Sequence, residues 1–214
     1  MIIQYENIKL NVEHLSEFEP SKKTILFLHG FTGSSNDWKD VVQKIDKRFN
    51  KSAFDLIGHG KSSSPTSVNY YMGDSLTNQI EQVINHLRLN EVILCGYSMG
   101  GRVALNYAIA KPNMVKGLIL ESASPGIKNQ KEKEARKKSD DELASYIENN
   151  SLEDFAAMWL DQELFGTLRR FSNNKLKDIK EEKAKNSKIG LANSLRRFGT
   201  GVMPYLASEL VKLK

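Results

Sequence analysis

Gly96-Tyr97-Ser98-Met99-Gly100 sets a serine between two glycines, directly after the apolar run Val92–Cys95 and directly before the helical run Gly100–Ala110. Strand, sharp turn, helix is the context in which G-x-S-x-G becomes a nucleophile elbow, with the serine hydroxyl raised at the end of a buried parallel strand. The turn strains the serine backbone and calls for small residues, and Gly96 and Gly100 relieve the crowding on either side. The bare five-residue pattern also serves as a plain glycine turn. Its flanks here point to Ser98 as a catalytic residue.

An elbow of this kind needs a parallel sheet under it, and the rest of the chain supplies the elements. Thr24–Leu28 and Val92–Cys95 are continuous apolar runs, as strands buried on both faces require. Ser52–Leu56 and Gly117–Glu121 read as further parallel strands, and Ile2–Tyr5 with Ile8–Leu15 as a hairpin. Asp37–Phe49, Ser75–Leu89 and Gly100–Ala110 carry helical periodicity. The fold class is therefore α/β, a mostly parallel sheet covered by helices.

After Pro125 the character changes. No strand pattern is visible from Gly126 to about Arg197, and charged amphipathic helices follow one another. The expected organisation is an N-terminal core over 1–125, a helical cap over 126–198, and a return to the core over 199–214, where Tyr205–Leu213 reads as a helix. Lys128–Lys138 concentrates basic residues, either as a solvated helix face or as a wall for an anionic ligand.

His29-Gly30-Phe31-Thr32-Gly33 follows the strand Thr24–Leu28. In this architecture that loop provides one backbone N–H of an oxyanion hole, and the residue after the serine provides the other. The expected donors are Phe31 and Met99. His29 reads as a residue that shapes the loop, with a role as catalytic base the lesser alternative. Asp55-Leu-Ile-Gly-His-Gly-Lys-Ser62 is a third glycine-rich turn at a strand end.

Composition excludes several other classes. The net charge of +5 comes from 31 basic and 26 acidic residues, interspersed and without aromatic interleaving, so no nucleic acid partner is indicated. No apolar stretch approaches the roughly 18 residues that cross a bilayer. The single cysteine, Cys95, leaves no disulfide framework and fits a reducing, cytoplasmic location. The four histidines, at 14, 29, 59 and 86, stand too far apart to suggest a metal site. Oligomeric state is left open.

Together the three glycine-rich segments resemble the α/β-hydrolase superfamily. Gly96-Tyr-Ser-Met-Gly-Gly-Arg102, Leu118-Ile-Leu-Glu-Ser-Ala-Ser-Pro-Gly126, Asn129, Arg136-Lys-Lys-Ser-Asp140 and Gly190-Leu-Ala-Asn-Ser-Leu-Arg-Arg-Phe-Gly-Thr-Gly201 are similar to a narrower group, the 2-succinyl-6-hydroxy-2,4-cyclohexadiene-1-carboxylate synthases of menaquinone biosynthesis. The elbow is common to many hydrolases; Arg102 combined with Ser-Pro-Gly and the Arg136 helix is far more selective. This resemblance implies a cofactor-free lyase that expels pyruvate from a polycarboxylate, with a histidine-activated Ser98 as base and Phe31 and Met99 as oxyanion donors. It also implies substrate contacts from Tyr97, Arg102, Arg136 and Trp159. Simple helix packing is the alternative role for Trp159. A third arginine of the family falls at Lys183, which keeps the charge and loses the bidentate fork.

Two other functions remain open on the residues alone: a serine carboxylic-ester or carbon–carbon-bond hydrolase, and a triad-deficient small-molecule binding protein. The triad of this fold runs serine, then acid, then histidine along the chain. No histidine follows Ser98, and the pattern leads one to expect about two more strand–helix units beyond Lys214.

Overall fold

The computed structural model describes residues 1–213. Its strands are β1 (Ile2–Tyr5), β2 (Ile8–His14), β3 (Lys23–Leu28), β4 (Phe49–Asp55), β5 (Val92–Tyr97) and β6 (Val115–Glu121), in the spatial order β1-β2-β4-β3-β5-β6. The hairpin β1–β2 joins β4 antiparallel, and β4, β3, β5 and β6 are mutually parallel. Successive side chains of β3 alternate between the faces: Leu26 and Leu28 enter one core cluster, Ile25 and Phe27 the other.

The helices are α1 (Lys39–Val42), α2 (Gly73–His86), α3 (Met99–Ala110), α4 (Gln130–Asn149), α5 (Leu152–Leu160), α6 (Asn173–Ala184) and α7 (Lys188–Phe198). Helices α2 and α3 bury Leu76, Ile80, Val83, Val103 and Tyr107 against the Leu26–Leu28 face. Among the described residues no strand follows Glu121, and α4, α5 and α7 share a separate apolar core built on Ile147, Phe155, Leu191 and Leu195. Phe31, from the loop after β3, packs into both this core and the sheet core.

Chain order and spatial order together place a site. Strand β4 lies on one side of β3 and β5 on the other, so the loops leaving β3 and β5 diverge. A crevice opens at such a switch point, beyond the carboxyl ends of the strands. Leu28 pairs with Gly96 there, which sets the His29–Phe31 loop beside Ser98.

Two helices expected from periodicity do not form at their expected length. Over Asp37–Phe49 there is only a 3₁₀ turn at Ser35–Trp38 and the single turn of α1. Trp38 and Val42 are buried under the sheet, but in the polar run that follows only Ile45 packs against that cluster before Phe49 opens β4. Likewise Tyr205–Leu213 is irregular, with a 3₁₀ stretch at Ala207–Lys212 that buries nothing; Leu210 and Val211 face solvent. Strand β4 also begins three residues before the expected Ser52, because its pairing with β3 starts at Lys23–Phe49.

Candidate active site

Ser98 stands between β5 and α3 with φ +50° and ψ −111°, a left-handed conformation that L-residues rarely adopt. What holds it there is close packing on both sides. A Cβ on Gly96 would lie 2.5 Å from the Gly100 carbonyl oxygen and from the Gly101 Cα. One on Gly100 would overlap the carbonyl oxygens of Leu28 and His29. Only glycine lets α3 approach β3 and β5 this closely, and the approach is what bends the chain at Ser98.

The second loop is built with equal economy. His29 is fully buried; its Nδ1 donates to the Gly30 carbonyl oxygen (2.8 Å) and its Nε2 accepts the Leu56 N–H (3.0 Å). Burial holds its pKa below the ordinary histidine value. With both ring nitrogens committed, His29 is a strut between the β3 and β4 loops, as the loop-shaping role requires. Asp55, also buried, accepts from the Asn11 side-chain amide (2.8 Å) and from the N–H groups of Ser35 (2.6 Å) and Lys61 (2.9 Å). Burial alone would raise the Asp55 pKa, but these bonds hold it below the usual carboxylate range.

Phe31 and Met99 flank Ser98, and all three line one cavity of about 530 Å³. Among the described residues neither backbone N–H donates to a loop backbone carbonyl. The Tyr97 ring lies against the Cα of Gly30 and lines the same cavity. Trp159 also lines the cavity, where it stacks with Phe155 (5.9 Å between centroids) and contacts Phe165 (5.6 Å).

Two arginines line the cavity. Arg102 is 8% exposed, donates to the Phe198 carbonyl oxygen at 2.5 Å and lies over the Phe198 ring. Burial, then the neighbouring Arg136, lowers its pKa to about 10, so it is still a cation at neutral pH. Arg136 projects from α4 and donates through Nε to Asp140 Oδ1 at 2.8 Å. Lys183 does not reach this cavity. It pairs with Asp37 at 3.5 Å in a separate hollow beside Thr32 and Gly33, where Asn186 donates to the Thr32 carbonyl oxygen at 3.0 Å. The Asp37 carboxylate holds the lysine in that hollow, away from the Ser98 cavity.

Asp140, Thr200 and Ser122 also line the cavity, and the residue patterns had not singled them out as site residues. Asp140 is one helical turn from Arg136, a spacing that could have marked it as a partner. Ser122 follows β6 with φ +51°, which no residue pattern announces. Among the described residues none of the four histidines lines the cavity, and no three His, Cys, Asp or Glu residues group as metal ligands. No helix is long and apolar enough to cross a membrane among those residues.

Similarity to known proteins agrees with this geometry. The alpha/beta hydrolase fold family model matches residues 23–206. A Bacillus subtilis protein assigned as a 2-succinyl-6-hydroxy-2,4-cyclohexadiene-1-carboxylate synthase is 36% identical over 90% of this chain and 70% of its own length. The Serratia proteamaculans enzyme of that name is 27% identical over 93% of this chain and 76% of its own. The solved structure of MenH from S. aureus superposes with a TM-score of 0.86 at 30% identity, covering 96% of this chain and 76% of that one.

Proposed function

The chain belongs to the α/β-hydrolase fold family and, within it, to the 2-succinyl-6-hydroxy-2,4-cyclohexadiene-1-carboxylate synthases, and we propose that it eliminates pyruvate from the succinyl-enolpyruvyl-hydroxycyclohexene-carboxylate that precedes this product. The observation that carries the reading is that Arg102 and Arg136 both line the cavity of Ser98. Guanidinium forks bind carboxylates in a planar, bidentate fashion, and this substrate offers three. A neutral ester would gain nothing from two cations there.

The product name fixes the bond changes. Ring carbon 2 carries the succinyl group and becomes sp² in a 2,4-diene. The proton lost is therefore the one on carbon 2, acidified by the adjacent succinyl ketone. Its electron pair delocalises onto the ketone oxygen, the ring double bond shifts, and the bond to the enolpyruvyl oxygen breaks. Enolpyruvate leaves and becomes pyruvate on taking up a proton at carbon. In this scheme Ser98 Oγ is the base, and the N–H groups of Phe31 and Met99 receive the enolate oxygen. Arg102 and Arg136 hold the carboxylates, and Tyr97 and Trp159 flank the ring. The cap over 126–198 closes the site above the core of 1–125, residues 199–213 return to that core, and the enzyme works in the cytoplasm without a cofactor.

Pyruvate release from this substrate, coupled to lactate dehydrogenase, tests the proposal. Release above the spontaneous rate that is lost in Ser98→Ala supports it; release indifferent to Ser98→Ala rejects it. One other reading has an observation behind it, since no described histidine reaches Ser98: a protein that binds the polycarboxylate without turning it over. Saturable binding with no release above background would select that reading.

A further inference from the structure

Asp140 is the only carboxylate lining the Ser98 cavity among the described residues, and it sits in a place that ought to select against it. It is 2% exposed, Oδ2 has no hydrogen-bond partner, and burial raises its pKa despite both nearby arginines. A buried, half-satisfied carboxylate is costly, and a negative charge beside an anion site opposes the ligand. Packing alone would be served better by an apolar side chain.

The surroundings nevertheless accommodate it closely. A Cβ on Gly199 would overlap Asp140 Oδ2, and one on Gly201 would lie 2.5 Å from the Lys137 backbone nitrogen. The Gly199-Thr-Gly201 segment is thus fitted against α4 on either side of Asp140. The carboxylate is used once, by Arg136 Nε at 2.8 Å. That bond occupies one edge of the guanidinium and leaves its Nη pair for a ligand. Arg136 has a side chain 47% exposed and several free torsions, so without this tether it would have to be ordered at each binding event.

We propose that Asp140 is a positioning residue for polycarboxylate recognition, which holds the Arg136 fork toward the cavity and offsets the repulsion between Arg136 and Arg102. The proposal rests on the polycarboxylate reading of the site. It assigns no proton transfer to Asp140, which acts only through Arg136.

Tricarballylate serves as a non-reacting probe, its binding followed by calorimetry, alongside KM and kcat for pyruvate release. Asp140→Ala is expected to raise the tricarballylate Kd and KM about tenfold, or about 1.4 kcal/mol, with kcat within twofold. Asp140→Asn keeps an acceptor for Nε and should stay within threefold of wild type. In an Arg136→Ala background, Asp140→Ala should add nothing, because the two residues act as one unit. Arg136→Lys keeps the charge, loses Nε and leaves α4 packed; it should weaken tricarballylate as much as Asp140→Ala does, and it stands in if that variant does not fold. Unchanged binding in Asp140→Ala or Arg136→Lys, or an equal loss in the Arg136→Ala background, overturns the proposal. A wild-type protein that does not bind tricarballylate overturns it together with the anion site. Binding that behaves as expected without any pyruvate release removes the lyase reading and leaves the role of Asp140 standing.

Discussion

Phe31 stands edge-on to Trp159, with ring centroids 5.4 Å apart and planes at 78°, and this contact ties the loop after β3 to α5. The same ring meets Phe155 at 6.5 Å and His59 at 6.0 Å. The position of the Phe31 N–H is therefore set partly by α5. Trp159→Ala should lower kcat about tenfold, a fraction of the 10²–10³ lost when an oxyanion donor is removed outright. Trp159→Phe should keep most of the rate. Single-turnover pyruvate release measures both, and equal rates in Trp159→Ala and wild type would mean that the ring contact positions nothing.

Gly100 and Gly166 make a matched pair for stability. A Cβ on Gly100 would overlap two carbonyl oxygens, whereas one on Gly166 meets nothing within 4 Å. Gly100→Ala should cost about 1–3 kcal/mol or more through overpacking. At this chain length that is roughly 2–4 °C of Tm for each kcal/mol. Gly166→Ala should be neutral or slightly stabilising, since it restricts the unfolded chain. Thermal unfolding of the two variants side by side decides the point.

Arg102→Ala and Arg136→Ala should each weaken use of the polycarboxylate far more than use of a neutral ester of similar size. Each charge-assisted contact should be worth about 1.5–3 kcal/mol. Parallel kcat/KM measurements on an anionic and a neutral substrate give the comparison. Equal losses on both would make the arginines structural, a real option for Arg102, which already donates to the Phe198 carbonyl oxygen.

The elbow was legible because its signal is local: a buried strand, a serine between glycines and a helix are contiguous, and the strained φ of Ser98 follows from them. His29 was legible as a strut for a similar reason, its place at the end of β3 leaving it the neighbouring loop to brace. Arg102 was visible only through family resemblance, and Arg136 otherwise only as one member of the basic run Lys128–Lys138, because nothing in their local spacing says that α3 and α4 converge on one cavity. Lys183 shows where such reasoning stops. A matching position along the chain carries no information about the Asp37 carboxylate that draws its side chain away from the cavity. The 3₁₀ stretch at Ala207–Lys212 was misread as a helix because periodicity counts apolar residues without knowing whether a surface exists to bury them.

Stability should fall as the pH drops below neutrality, and His59 should be a main cause. It is buried, Nδ1 donates to the Ile57 carbonyl oxygen at 3.2 Å, and Nε2 has no partner. Burial, reinforced by His29, pushes its pKa down to about 3. Between that value and an ordinary histidine pKa near 6.5, the unfolded chain binds a proton that the folded chain does not, so stability rises with pH. The contribution is fully present above about pH 6.5 and is lost as the pH falls through the window, at up to about 1.4 kcal/mol per unit. His29, lowered in the same direction, adds to the slope. Urea midpoints at pH 7.5 and 5.0 should differ clearly in wild type and less in His59→Gln. An identical difference in both would assign the slope elsewhere.

The last prediction concerns the proton of Ser98. Among the described residues His14 contacts Ser52, His29 has both ring nitrogens engaged, His59 is buried outside the cavity, and His86 is exposed at the end of α2. In the polypeptide 1–214 the hydroxyl would then surrender its proton to solvent, a poor acceptor. A positioned general base is worth about 10²–10⁴ in rate, and free imidazole at about 100 mM should recover part of it, on the order of tenfold. The rise in pyruvate release should follow the fraction of neutral imidazole and should vanish in Ser98→Ala. His29→Gln should loosen the loop yet leave the imidazole response in place. If pyruvate release ignores imidazole and is abolished by His29→Gln, then His29 is the base, and the bond from Leu56 N–H to its Nε2 would have to break during turnover.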